Sequence, residues 1–197
     1  MLKTERMDRV RAALRAQGLT QMIVCDPKSV WYLTGVAVEP YERLLALYLP
    51  TEGEPALFLH RLFNVPEPPC RTVWHTATDK PVAQIAEVVD AGKPLGIDKE
   101  WPARFLIPLM ETHPGMQVVL SSDCVDDCRA CKDAEEQALM REASRINDAV
   151  NEAAKHYIKA GMTEREVAEF IDAQFRAHGC EGPSFTTIVS FGANAAD

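Results

Sequence analysis

The spacing of apolar and polar positions changes along this chain, and the changes mark its elements. Met7, Val10 and Leu14 fall on one face of a helix over residues 1–17, which Gly18 closes as a left-handed cap. Residues 20–25 are a short continuous apolar run, the pattern of a buried strand. Asp26-Pro27 predicts a short helix through Leu33, with proline in its first turn and Gly35 as its stop. Strands are expected over residues 43–49 and 56–60, joined by a hairpin connection bearing Pro50, Gly53 and Pro55. A loop holding Pro66, Pro68 and Pro69 then leads to a strand at 71–76. Val82, Ile85 and Val89 predict a helix capped by Thr78 or Asp79 and finished before Gly92. A strand at 95–98, a helix at 101–110 that Pro108 should kink or shorten, and a sixth strand at 117–120 complete the pattern. Strands alternating with helices, plus one hairpin, predict an α/β domain over residues 1–122. Its expected form is a mixed six-stranded sheet with helices on both faces.

Beyond Ser121 the pattern becomes helical. Residues 123–132 read as a linker. Asp133 and Glu136 then form a capping-box pair, and Ala138, Leu139, Ile146, Val150, Ala153, Tyr157 and Ile158 keep one apolar face until Gly161. Thr163 and Glu166 open a second helix, with Val167, Phe170, Ile171 and Phe175 inward and Gly179 as stop. Residues 185–190 are expected as a strand. Two helices and one strand cannot enclose a core by themselves, so residues 133–197 read as part of a second domain of α+β type.

Composition narrows the function classes. The 197 residues are 47% hydrophobic and 25% charged, enough to bury a real core. A net charge of -8, from 21 basic and 29 acidic side chains, argues against nucleic-acid and anionic-membrane partners. No apolar run approaches the roughly 20 residues of a membrane span, and the first residues lack the apolar stretch of a secretory signal. A cytoplasmic protein with reduced thiols is the expectation.

The motifs resemble a known family. Asp26-Pro27-Lys28-Ser29-Val30-Trp31-Tyr32-Leu33-Thr34-Gly35 resembles the DPxxxxYLTG segment of creatinase/prolidase amino-terminal domains. Glu42-Arg43 resembles the ER that follows it, and Leu95-Gly96-Ile97-Asp98 the family's GID/E strand. The run from Arg129 to Glu136 is similar to its RxxKxxxEI junction, although Gln137 replaces the usual aliphatic residue. Residues 160–168 resemble xGMTExEVA, residues 182–189 xxxSFxTIV, and residues 192–196 GxNAA. The resemblance runs in order along the whole chain. It implies a creatinase/prolidase amino-terminal domain followed by the truncated beginning of a pita-bread catalytic domain. By the same resemblance the parent is a homodimeric metal-dependent peptidase, a dipeptidase or aminopeptidase acting on proline-containing (Xaa-Pro) peptides. It would carry two divalent ions (Mn, Co or Zn) whose Asp, His and Glu ligands follow this segment. No metal ligand or catalytic residue is assigned to the present residues, and they are expected to be inactive alone. A creatinase-like amidinohydrolase and a non-catalytic binding or dimerisation module are the alternatives.

Several side chains invite chemistry of their own. Cys124, Cys128 and Cys131 have the spacing of cluster or zinc ligands, but no fourth ligand lies nearby, and incidental cysteines of a linker are the favoured reading. His60, His75, His113, His156 and His178 form no metal-spaced motif. Glu135, Glu136, Glu142 and Glu152 are interleaved with Arg141, Arg145 and Lys155, the pattern of a solvated helix face. The loop over residues 36–42 has a functional case through the resemblance. There the amino-terminal domain of one protomer leans over its partner's active site, so Glu39, Tyr41 and Arg43 are candidate substrate contacts, the guanidinium suiting a carboxylate. A polar connection in which Arg43 pairs with a neighbouring carboxylate is the structural alternative.

Overall fold

The computed structural model describes residues 3–196 and divides after Cys131 into two units. The first runs α1 (Thr4–Ala16), β1 (Gln21–Val24), α2 (Pro27–Thr34), β2 (Ala46–Pro50), β3 (Ala56–His60), β4 (Arg71–His75), α3 (Pro81–Ala86), β5 (Leu95–Ile97), α4 (Ala103–Thr112), β6 (Val118–Leu120) and α5 (Asp123–Ala130). Its strands form one mixed sheet of six in the order β4-β3-β2-β1-β5-β6. β2 is antiparallel to β1 and β3, whereas β3 with β4, β1 with β5, and β5 with β6 are parallel. Five strands therefore point the same way and end along one edge, where β2 begins.

Side-chain alternation along these strands feeds two cores. Met22, Val24, Leu47, Leu49, Leu57 and Leu59 meet Met7, Val10 and Leu14 of α1, Val30 and Leu33 of α2, and Cys124 and Val125 of α5. The intervening Ile23, Ala46, Ala56 and Phe58 join Leu95 and Ile97, covered by Ile85 of α3 and Leu109 of α4. Each fully buried leucine contributes roughly 1.5–3 kcal/mol, so truncating Leu47 to alanine costs about 2–5 kcal/mol. Gly96 is required by crowding: a Cβ there would lie 2.5 Å from Ser121 Oγ and 3.2 Å from the Gln21 carbonyl oxygen.

Local chemistry moves several element ends from their expected positions. β2 starts at Ala46 rather than residue 43, because Arg43 N–H donates to the Pro40 carbonyl in a turn and the Leu44 carbonyl accepts from His75 Nε2 at 3.1 Å. α3 is not capped by Thr78 or Asp79; the Asp79 carboxylate instead accepts from the Thr76 N–H and hydroxyl, and the helix starts on Pro81. α4 runs through Pro108 to Thr112, whose hydroxyl donates back to the Pro108 carbonyl at 2.8 Å. Residues 123–132, expected as a linker, are mostly α5, whose Cys124 and Val125 are buried in the first core.

The second unit carries α6 (Ala134–Tyr157), α7 (Glu164–Ala177) and a 3-10 turn (Gly192–Ala196). Both capping boxes form: Asp133 with Glu136, and Thr163 with Glu166. α6 ends at Tyr157, with Ile158 already extended, rather than continuing to Gly161. Its apolar face is narrower than the spacing implies. Ile146, Val150 and Ala154 are buried, but Leu139 and Ile158 are exposed, because the 14 residues of α7 pack along only part of a 24-residue helix. Val167 of α7 is buried, and Tyr157 stacks on Phe170 with ring centroids 3.8 Å apart. The strand expected at 185–190 does not form. Its segment is irregular, because no strand exists among the described residues of this unit for it to pair with. Side chains hold it instead: Thr187 donates to Asp172, and Glu164 accepts from Phe191 N–H and Asn194 Nδ2.

Candidate functional site

The carboxyl edge of the sheet is where this topology gathers polar groups. α2, which follows β1, lies in the first core, and α4, which follows β5, lies in the second. The chain thus leaves two adjacent parallel strands towards opposite faces, the arrangement that opens a ligand crevice in α/β sheets. Here the crevice is filled from within. Asp98, buried after β5, accepts hydrogen bonds from the N–H groups of Cys25 at 2.5 Å, Asp26 at 2.8 Å and Glu100 at 3.1 Å. Burial pushes its carboxyl above the usual range against the pull of those N–H groups. Cys25 beside it is driven up by burial and by the Asp98 charge, so its thiol stays neutral.

Asp26 then caps α2. It accepts from the N–H groups of Lys28 and Ser29 and from the Ser29 hydroxyl, while Arg129 Nη1 sits 3.0 Å away. Burial raises its pKa, but these hydrogen bonds and the guanidinium outweigh it and hold the carboxyl below its ordinary value. The Tyr32 hydroxyl receives Arg9 Nη2 at 2.7 Å and donates to the Cys128 carbonyl at 3.1 Å, tying α1, α2 and α5 together. This end of the DPxxxxYLTG-like segment is therefore a buried scaffold.

The other end of that segment builds the candidate loop. Gly35 caps α2 at φ 76° and donates to the Trp31 carbonyl at 2.7 Å, a left-handed conformation that favours glycine. Thr34 Oγ1 donates to the Val30 carbonyl and receives the Val36 N–H. Val36 and Val38 pack against the first core, which turns Ala37 and Glu39 outward. Together with Pro27, Lys28 and Trp31 of α2, residues 37–39 line a cavity of about 280 Å³. Tyr41 is 79% exposed and has φ 49°, a left-handed conformation uncommon for an aromatic residue. Arg43 pairs with Glu42 at 2.8 Å.

Glu39, Tyr41 and Arg43 thus share one exposed loop, but only Glu39 lines the cavity. Lys28 and Trp31, which sequence reasoning passed over, line it too. The available signal was an indole at a position one turn before Gly35, on the outer side of a helix whose Val30 and Leu33 face inward.

The remaining candidates are structural. Cys124 is buried, Cys128 partly buried and Cys131 exposed, so the three thiols sit in unlike surroundings. Burial raises Cys124 to about 11 and pushes Cys128 up as well, the behaviour of small apolar side chains. His60 and His75 are neighbours across β3 and β4, rings 5.1 Å apart and edge-on; burial lowers the His75 pKa. His113 bonds the Ala86 carbonyl, and His156 pairs with Glu152. Among the described residues no group of three or more His, Cys, Asp and Glu side chains is placed to hold a metal ion.

The sheet order and the helices on its two faces define a mixed α/β domain whose carboxyl-edge crevice is closed by its own carboxylate. This chain belongs to the creatinase/prolidase family: residues 6–131 match the Creatinase/Prolidase N-terminal domain, and residues 138–197 match Metallopeptidase family M24. An uncharacterized peptidase of Staphylococcus aureus is 27% identical over 184 residues, 88% of this chain and 50% of that protein. The crystal structure of dipeptidase PepE from Mycobacterium ulcerans superposes with a TM-score of 0.81 at 26% identity, covering 92% of this chain and 51% of the other. A recombinant prolidase from Thermococcus sibiricus shares the fold with a TM-score of 0.83 at 24% identity, over 94% of this chain and 53% of its own. The chain spans about half the length of the curated relatives it matches. Metallopeptidase family M24, matched by residues 138–197, is a family of metal-dependent peptidases. The side chains described here form no centre for metal ions, so no metal-dependent step is assigned to them. Among the described residues no helix is long and apolar enough to cross a membrane.

Proposed function

We propose that these residues belong to a metal-dependent hydrolase of Xaa-Pro peptides, a dipeptidase or aminopeptidase. The observation that carries this reading is the ordered pair of family matches, with the amino-terminal domain at 6–131 and the M24 segment at 138–197. The likeness at 26% identity to a solved dipeptidase supports it over nearly the whole chain. On this reading residues 133–197 open a pita-bread catalytic domain, and a pair of Mn, Co or Zn ions is held by residues outside the described ones. The protein is a homodimer, and the loop bearing Glu39, Tyr41 and Arg43 faces the active site of the second copy. Arg43 would exchange its exposed Glu42 partner for a substrate carboxylate, an exchange that costs little because exposed ion pairs are weak.

The test is hydrolysis of Ala-Pro, Leu-Pro and Leu-Pro-Gly by the complete gene product with Mn, Co or Zn, with creatine as control. Cleavage of the proline-containing peptides and not of creatine is expected. Creatine turnover alone would move the protein to the amidinohydrolases. The 197 residues by themselves are expected to be inactive with each metal, and light scattering of the complete product is expected to give a dimer.

A further inference from the structure

The three cysteines of α5 and its end include a C-x-x-C pair, Cys128 and Cys131, set where the helix stops. Cys131 is the residue after the helix. Its backbone is extended (φ -91°, ψ 95°), it is exposed, and its N–H reaches the Asp127 carbonyl at 3.4 Å, longer than the usual range. Cys128 lies one turn earlier and is half-buried. Residues three apart share a helix face, and regular geometry puts their Cα atoms about 5 Å apart, inside the about 4.4–6.8 Å that a disulfide spans. Their Cβ atoms stand about 5–6 Å apart in a regular turn, against about 3.8 Å in a disulfide. The difference has to come from backbone movement, which Cys131, already outside the helix and on a long bond, can supply. Cys124 and Cys128 lack that freedom: both lie inside the helix, and Cys124 is packed in the first core. Burial pushes the Cys128 thiol up, Arg9 of α1 pulls it down, and the charges of Asp127 and Cys131 raise it again. The influence of Cys131 marks the two thiols as neighbours. A half-buried thiol of this kind is inert alone, but beside an exposed one it can act as a resolving partner.

We propose that Cys128 and Cys131 are a redox-active pair that closes to a disulfide when the chain meets a low-molecular-weight disulfide. The exposed Cys131 thiolate attacks one sulfur of that molecule and expels the other as a thiolate, leaving a mixed disulfide at Cys131. The Cys128 thiolate then attacks Cys131 Sγ and expels the second thiolate. The two thiol protons pass through solvent to the expelled thiolates. The chain thus loses two electrons and two protons, and the small disulfide becomes two thiols. The new ring encloses Arg129, whose Nη1 lies 3.0 Å from the Asp26 carboxylate and 2.9 Å from the Ser29 hydroxyl. The Cys128 carbonyl also accepts from the Tyr32 hydroxyl. Unwinding the last turn of α5 therefore loosens its hold on the start of α2.

The experiment incubates the reduced 197-residue chain with excess oxidised glutathione near neutral pH, then quenches with acid, alkylates free thiols and digests with trypsin. Trypsin cuts after Arg129, so a Cys128–Cys131 bond leaves two peptides joined through sulfur. That cross-link is expected in most molecules, with Cys124 alkylated and a glutathione adduct at Cys131 appearing first and decaying into it. C128S should stop at the adduct. C131S should lower oxidation of Cys128 about tenfold or more, because the half-buried thiol is shielded. In ¹⁵N spectra the amides of residues 28–32 should shift on oxidation, return with dithiothreitol and stay unmoved in C131S. Unchanged amide dispersion elsewhere will show that the variants remain folded. A glutathione adduct at Cys131 that persists without closure overturns the proposal. So does a Cys124–Cys128 bond, a cross-link between two chains, or oxidation of Cys128 in C131S as fast as in the parent. Closure with the amides of 28–32 unmoved overturns the coupling to α2.

Discussion

At the scale of single residues, Asp98 and His75 show how burial converts a polar group into architecture. Asp98 spends its carboxylate on three backbone N–H groups, two of them at the turn from β1 into α2. Asp98→Ala would strand those donors in a buried place, at a cost on the order of 3 kcal/mol, read as a lower urea midpoint with unchanged slope. An unchanged midpoint would show that water reaches these donors and that Asp98 is not the lock. His75 is buried beside His60, and its Nε2 donates to the Leu44 carbonyl. Burial depresses its pKa below 6.5, so its neutral form is preferred in the folded state. The unfolded chain then binds the extra proton, and stability is present above pH about 6.5 and lost as pH falls below it. Denaturation midpoints should fall between pH 7.5 and 5.5, and His75→Gln should flatten that part of the profile. Equal slopes for the parent and H75Q would remove His75 as the cause.

At the scale of elements, α5 separates what spacing can tell from what packing decides. Cys124, Cys128 and Cys131 look like a ligand set because thiols at such intervals can serve that purpose. In the folded chain they lie on the last helix of the first unit, and Cys124 is a core residue. Cys124→Ser should cost about 1–3 kcal/mol, since the hydroxyl would be buried without a partner. Cys131→Ser, at an exposed position, should stay within about 0.5 kcal/mol of the parent. A similar loss in both would indicate that the thiols act together. Helix starts were legible wherever a side chain does the capping, at Asp26, Asp133 and Thr163, because those bonds close within three residues. The end of β2 nearest Arg43 was not, since it depends on His75, 31 positions away. The candidate loop divides in the same way. Glu39, Tyr41 and Arg43 were readable as a polar loop, but that Glu39 alone of the three lines a hollow with Lys28 and Trp31 depends on Val36 and Val38 being seated in the core.

At the scale of the whole molecule, hydrogen exchange distinguishes the parts. The inner strands β1, β2, β3 and β5 are paired on both sides and largely buried, so their amides should exchange slowly. Residues 184–190 lie in no ladder, and their amides should exchange within minutes at neutral pH. Protection there equal to that of β1–β3 in a monomer would contradict the structure. Sequence alone determined the class of fold, the order of the strands and helices from α1 to β6, the two capped helices that follow, and membership in a family whose motifs recur in order along the chain. These are local or ordered properties, carried by periodicities of two and 3.6 and by caps. Only tertiary structure decided which groups meet. It buried Asp98 beside the turn into α2, drew α5 into the core, left residues 185–190 without a ladder, and brought Lys28, Trp31 and Glu39 to one surface hollow. The physical reason is that burial and pairing depend on elements far apart in the chain, which no window along it contains.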